Sequence, residues 1–305
     1  MRPCCRTIRF ALVDVFTGVP LAGSPLAVVP DAEALDERVL ARIAREFNQS
    51  ETTFLLPATR TGADCRLRSF TPAGKEVFGP DRNALGAWWW LAASGRLALE
   101  GSQTLLHQEL GERVLPLTIE SLAGRPIAVA MHQARPVFGL IVRDRKPLAH
   151  ALGLPPAALH PRELPPQVVS TGTPHLLVAV APKALGALRP DREWLRSILI
   201  AAGAQGCYVF ALTPERRTNA TARFVNSAAG IPEEPATGSA AGPLAHYLRY
   251  YGAVDGEHVR IAQGAETGRP SELEVELRGD DVLLRGQAVV AAEGDLHVPC
   301  LNEPS

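Results

Sequence analysis

Apolar positions along this chain switch repeatedly between a period of two and a period near 3.6, so strands and helices alternate. Loose alternation from Phe10 to Val15 predicts a strand, and the short apolar run Leu26 to Val29 predicts another. Between them, Gly18, Pro20, Gly23 and Pro25 mark a loop. Leu35, Val39, Leu40, Ile43, Ala44 and Phe47 share one helical face, opened by Asp36 and Glu37 and closed by Asn48. Ser50 to Leu56 and Cys65 to Phe70 read as strands. A turn over Thr71 to Glu76 leads to a helix from Leu85 to Ala93, with Gly95 as its cap. Trp88, Trp89 and Trp90 point in three directions from that helix, which is therefore predicted to be buried inside a curved sheet. Leu115, Leu117 and Ile119 alternate, as do Ile127, Val129 and Met131, and the two stretches predict a hairpin.

A Pro-rich stretch, Pro147 to Pro166, reads as a loop near an inter-domain region, and after it the pattern restarts. Val168 to Val178 echoes the N-terminal loop and strand, a helix near Trp194 to Ala201 echoes the first helix, and Cys207 to Leu212 echoes the strand at Glu51. Pairing Phe54 with Phe210, Phe70 with Phe224 and Gly86 with Gly238 gives matched spacings of 16 and 14 residues, twice over. A second hairpin pattern follows at Leu273 to Leu277 and Val282 to Leu284. The expectation is an α/β (α+β) architecture of two similar units, residues 1–134 and 135–305, with return of the last strand to the first unit left open. The predicted site lies in the cleft between them.

The stretch Arg223 to Leu248 carries the candidate chemistry. A turn at Gly230 leads to Glu233 and Glu234, and then to small residues, Ala236 to Ala241, at the start of a mostly apolar helix. Small residues leave the first N–H groups of a helix uncovered, and those groups with the helix dipole seat an anion. Asp81 occupies the corresponding loop of the first half, and Glu51 opens a strand there. Carboxylates around a seated anion suit proton removal alpha to a carboxylate and its return elsewhere. Each has a plainer reading. Glu51 also fits a strand-end ion pair, Asp81 a turn residue after Pro80, and Glu233 with Glu234 a solvated pair. Thr237 and Ser239 also fit simple N-caps, and His175 a packed histidine.

Composition narrows the partners. Lys plus Arg number 31 against 32 acids, a net charge of −1, which leaves no electrostatic footprint for nucleic acid or an anionic membrane. The start, MRPCCRTIRF, has no apolar signal core, and no apolar run approaches the ~18 residues of a membrane span. Five scattered cysteines are no disulfide framework, so a cytoplasmic location is expected. Dinucleotide, P-loop and nucleophile-elbow motifs are missing, and no two of the eight histidines lie within five residues of each other. No metal and no cofactor are predicted.

Asp14-Val15-Phe16-Thr17, the segment Asn48 to Phe54 (NQSETTF), Phe70-Thr71-Pro72, Glu233 to Ala240 (EEPATGSA) and Gly264 to Ser271 (GAETGRPS) together resemble the PhzF-like, phenazine-biosynthesis family, in order over nearly the whole chain. The resemblance implies the diaminopimelate-epimerase fold, two similar domains each with a curved sheet around a central helix. It implies a cofactor-independent isomerase or epimerase acting on a small carboxylate-bearing substrate, and a homodimer. It makes Glu51 the main acid/base and Gly238-Ser239 part of the substrate-binding helix end. Glu234 and Asp81 complete the candidate catalytic set; Ser50, Arg82, Asn83 and Thr237 complete the candidate substrate-binding set. Two positions depart from the family pattern. Glu234 replaces an aspartate, and Asp81-Arg82 replaces Gly-His. Arginine does not shuttle protons near neutrality. Either Asp81 supplies a second base and Arg82 clamps a substrate carboxylate, or the chain is an altered, binding-only relative. No cysteine lies in the loops at Asp81 and Glu234, which sets the chain apart from an ordinary diaminopimelate epimerase.

Overall fold

The computed structural model describes residues 5–79, 81–159, 163–213, 218–225 and 233–299. The expected turn at Gly230, and Pro80 ahead of Asp81, lie outside these residues. The chain divides into two compact units. Unit 1 holds the residues up to Leu21, Pro25–Met131 and those from Gln287 on; unit 2 holds Ala22–Ser24 and His132–Gly286. Among the described residues no helix is long and apolar enough to cross a membrane.

In unit 1, β1 (Cys5–Val15) runs antiparallel to the final strand, Ala288–Pro299, with a register shift at Leu12/Val13. β2 (Ser24–Val29) lies parallel to β3 (Thr52–Leu56), a pairing that requires a crossover, here α1 (Glu37–Phe47). Asp36 caps α1 by accepting from the Val39 N–H at 2.9 Å, and Asn48 ends it in the left-handed conformation. Its buried face, Val39, Leu40, Ile43 and Ala44, joins Val29, Phe54 and Phe70 in one core. β3 pairs antiparallel with β4 (Cys65–Phe70), and β4 with the two-residue β5 (Glu76–Val77). A second crossover, α2 (Arg82–Ala93), leads to β6 (Gln103–Leu110), parallel to β4. β7 (Arg113–Leu122) and β8 (Arg125–Gln133) then form the expected hairpin. Its turn holds Ala123 and Gly124 at positive φ, the geometry of a tight hairpin.

The buried helix is α2. Ala84, Leu85, Gly86, Ala87, Trp88 and Trp90 are all buried, and only Trp89 of the three rings is partly open. Both buried indoles find acceptors: Trp88 Nε1 donates to Gln108 Oε1 on β6, and Trp90 Nε1 to Glu293 Oε1 on the final strand, each at 3.0 Å. A Cβ on Gly86 would lie 2.6 Å from Leu26 and 2.7 Å from Val15, so the glycine lets this helix touch the sheet.

Unit 2 repeats the order. β9 (Val137–Ile141) and α3 (Arg145–Ala151) precede β10 (Gln167–Ser170), which pairs antiparallel with β9 and with β11 (Pro174–Ala179). α4 (Pro182–Leu185) and α5 (Arg192–Ala202) cross over to β12 (Gly206–Leu212), parallel to β11. β13 (Ala220–Val225) pairs antiparallel with β12 and with the two-residue β14 (Glu233–Glu234). The buried α6 (Gly238–Tyr250) crosses to β15 (His258–Gln263), parallel to β13, and β16 (Ser271–Arg278) and β17 (Asp281–Gly286) complete a meander.

Two expectations need correction. The Pro-rich stretch is not a plain loop, because α3 runs into it and Leu148, Ala149, Ala151 and Leu152 are fully buried. Pro147 is the third residue of α3, where its missing N–H costs nothing. The aromatic pairing of the repeat is also one residue out. Counted from Pro25 and Pro174, Ala27 faces Thr52 and Thr52 faces Phe70, while Leu176 faces Cys207 and Cys207 faces Val225. Phe70 therefore corresponds to Val225, Ser69 to Phe224, Thr53 to Tyr208 and Glu51 to Gly206. Arg82 and Gly238 both open their helices, so the partner of Gly86 is Gly242 and not Gly238. Gly242 has a packing role of its own, since a Cβ there would collide with the side chain of Gln133.

Candidate active site

One ion pair occurs in both units at corresponding positions. Arg68 grips Glu76 with Nε and Nη2 at 2.8 and 2.7 Å, and Arg223 grips Glu233 in the same way at 2.8 and 2.7 Å. These bidentate pairs tie each two-residue strand to its neighbour. Glu233, read from the sequence as one of two acids beside the anion seat or else as half of a solvated pair, is paired with Arg223, and Glu234 is the acid next to the helix.

In unit 1, Glu51 stands immediately before β3, half-buried, with Ser50 half-buried in the bend before it. Arg82, the first residue of α2, is only 5 % exposed, and its Nη2 donates to Glu51 Oε2 at 3.0 Å. Glu51 Oε1 has no hydrogen-bond partner among the described residues. Asp81 occupies the N-cap position of α2 without a side-chain capping bond, and its N–H donates to Asn83 Oδ1 at 3.3 Å. Asn83 Nδ2 donates to Ser69 Oγ at 3.0 Å, and the Ser69 and Thr53 hydroxyls are 2.9 Å apart. Asn83, expected to bind substrate, is 2 % exposed, and both ends of its amide are engaged in fixing the start of α2.

In unit 2, Thr237 is the N-cap residue of α6 but makes no side-chain cap bond. Its hydroxyl accepts instead from Gln263 Nε2 at 3.1 Å, and its N–H donates to Gln263 Oε1 at 3.2 Å. The same amide donates to the Glu234 carbonyl at 2.8 Å and accepts from the Tyr208 hydroxyl at 2.8 Å. One buried side chain thus fixes the loop from Glu234 to the start of α6, and this hub was not found from the sequence. Its only sequence signal is a glutamine ending an apolar strand just before Gly264.

The N–H groups of Gly238 and Ser239 have no acceptor among the described residues, and they begin a 13-residue helix. Two adjacent open donors at a dipole's positive end can hold an anion. Ser239 Oγ lies 3.0 Å from His175 Nε2. His175 is buried edge-on against Phe224 at 5.1 Å, and burial drives its imidazole down to about 3. A packed histidine was expected, and it is packed and neutral, but it also touches a candidate substrate-binding residue. Its Nδ1 is buried without a partner. A bare lone pair is cheaper to bury than a bare N–H, which favours the tautomer with the proton on Nε2, donated to Ser239. The Ser239 hydroxyl proton is then left to donate elsewhere.

Residues 13–294 match the family described as phenazine biosynthesis-like protein. Trans-2,3-dihydro-3-hydroxyanthranilate isomerase of Pseudomonas fluorescens is 35 % identical over 265 residues, 86 % of this chain and 88 % of that protein. The enzyme of the same name from Pseudomonas aeruginosa is 32 % identical over 297 residues, 95 % of this chain and 99 % of that one. Among solved structures, a Bacillus anthracis phenazine biosynthesis protein of the PhzF family superposes with a TM-score of 0.84 at 28 % identity, covering 95 % of this chain and 99 % of its own. The α+β fold is that of these proteins, consistent with the diaminopimelate-epimerase type.

Proposed function

The chain belongs to the phenazine biosynthesis-like protein family, a family of isomerases, and on that premise we propose that it moves a proton on a small carboxylate-bearing substrate by acid/base catalysis without a cofactor. The observation that carries this reading is the state of Glu51: one oxygen is anchored on Arg82 and the other lacks a hydrogen bond among the described residues. Glu51 Oε1 takes a proton from carbon and returns it to another carbon on the same side of the substrate, while return to the opposite face of the same carbon falls to a second acid, Asp81 or Glu234. The open N–H groups of Gly238 and Ser239 receive the substrate carboxylate and stabilise the charge that spreads into it as the C–H bond breaks. Thr237 and Ser50 line the approach, while Glu234 and Asp81 are the supporting acids. The substrate class is a cyclic acid resembling dihydro-hydroxyanthranilate, supported by the names of the two Pseudomonas relatives. Binding between the two units, a homodimeric assembly and a cytoplasmic location belong to the same proposal. Arg82 in the family's histidine position supports a second reading, a relative that binds such acids without turnover.

Incubation with trans-2,3-dihydro-3-hydroxyanthranilate and a panel of small amino and hydroxy acids in D₂O, followed by NMR, tests the proposal. The expected result is deuterium incorporation by the native protein, reduced roughly 10²- to 10⁴-fold by Glu51→Gln. Binding of a panel compound with no exchange in either protein would favour the second reading.

A further inference from the structure

We infer that Arg82 is a positioning residue for Glu51 and not a clamp for the substrate carboxylate: its guanidinium holds one oxygen of Glu51 so that the other faces the reacting carbon. The inference rests on the acid/base reading of Glu51 and deepens it.

The arginine is in an unfavourable place for a cation. It opens α2, where the helix dipole is positive, and its side chain is only 6 % exposed. A buried cation persists where an anion is bonded to it, and Glu51 is such an anion for Arg82, Nη2 to Oε2 at 3.0 Å. Swinging Arg82 onto a substrate would strand that carboxylate, half-buried, without its partner. The guanidinium also keeps its proton throughout the working range, so it cannot replace a histidine as a proton carrier.

The two units supply an internal comparison. The structural ion pair is kept in both, as Arg68–Glu76 and as Arg223–Glu233. The Glu51–Arg82 pair is absent from unit 2 as a whole: by ladder register and helix start, its two positions are Gly206 and Gly238. Acid and arginine are present together or absent together, as expected of one device and not of two independent residues. The contact is also single, Nη2 to Oε2, where the structural pairs use both oxygens of their glutamates. A two-oxygen grip would immobilise a carboxylate and occupy it; the single contact orients Glu51 and leaves Oε1 available.

Two measurements on the full chain test the inference. Denaturant unfolding of the native protein, Glu51→Gln, Arg82→Met and the double variant should be non-additive, the second substitution costing clearly less once the first is present. Deuterium incorporation into trans-2,3-dihydro-3-hydroxyanthranilate, or into the panel compound that the native protein turns over, should fall roughly 10²-fold at saturation for Arg82→Met. The half-saturating concentration should change less than about 3-fold, and Arg82→Lys should recover a large part of the rate. A raised half-saturating concentration with an unchanged saturated rate would assign Arg82 to the substrate and overturn the inference, as would additive stabilities. If the native protein exchanges no compound, the acid/base reading itself has failed and the inference falls with it. Additive stabilities in an active enzyme would overturn the inference alone.

Discussion

Phe224 lies with its ring against the backbone of Gly206, so close that a Cβ at position 206 would collide with the ring carbons. The ring also meets His175 edge-on, 5.1 Å between centroids. Gly206 is the register counterpart of Glu51, so unit 2 has an aromatic packing contact at the position where unit 1 carries its acid.

Gly206→Ala should therefore destabilise the protein by about 1–3 kcal/mol, the usual cost of overfilling a packed site. Combining it with Phe224→Leu should recover most of that loss. Urea unfolding of the two single variants and the pair gives the answer. Simple addition of the two costs would mean that the ring is not what excludes the side chain.

His175 makes stability depend on pH in a defined direction. Its folded value, about 3, lies below the ordinary 6.5, so the unfolded chain binds the proton first. The stability that its burial as a neutral ring contributes is complete above the ordinary value and is lost as pH falls toward the folded one. The stability gap between the native protein and His175→Asn should be constant above about pH 7 and shrink by about 1.4 kcal/mol per pH unit between about pH 6 and pH 4. A gap that stays flat down to pH 4 would mean that the imidazole is not held neutral.

Gln263 and Tyr208 should differ in their effects. Tyr208→Phe removes one bond to the hub and should cost about 1 kcal/mol, with deuterium exchange nearly intact. Gln263→Leu removes its bonds to the Glu234 carbonyl, the Thr237 N–H and the Tyr208 hydroxyl together, and should cost about 3 kcal/mol or more. Exchange activity, measured on folded protein at low temperature, should fall with it. Equal effects of the two variants would show that the hub does not act as a unit.

Gly264 has φ +86°, and a Cβ there would collide with the backbone carbonyls of Arg269 and Pro235. Carbonyls fixed in two loops cannot step aside. Gly264→Ala should therefore cost about 2–4 kcal/mol, combining left-handed strain with the clash. Because Pro235 follows Glu234, the same change should also lower activity in the protein that remains folded.

How much was legible follows from how local each signal is. The cap of α1 was legible because Asp36 and Asn48 act within a few residues of the helix they bound. The burial of α2 was legible because three consecutive tryptophans exclude a solvated face. The alignment of the repeat slipped by one because Phe70 and Phe224 look alike in sequence, whereas register is set by ladder partners from other strands. The prolines around Pro147 suggested a loop, but buried Leu148 and Leu152 outweighed them. Glu51 and Arg82 were each noticed, yet their bond joins positions 31 residues apart and no local pattern predicts it. Gln263 was invisible for the same reason: its partners lie on a distant strand and in the loop before α6.

The burial of α2 has an optical consequence. Of the four tryptophans, Trp88, Trp89 and Trp90 sit on that helix, and Trp88 and Trp90 are almost sealed from solvent, while Trp194 on α5 is 41 % exposed. Replacing Trp194 with phenylalanine would leave a chain whose whole indole emission comes from the helix that begins at Arg82. Its fluorescence would then time the loosening of the acid-bearing unit separately from the rest of the molecule.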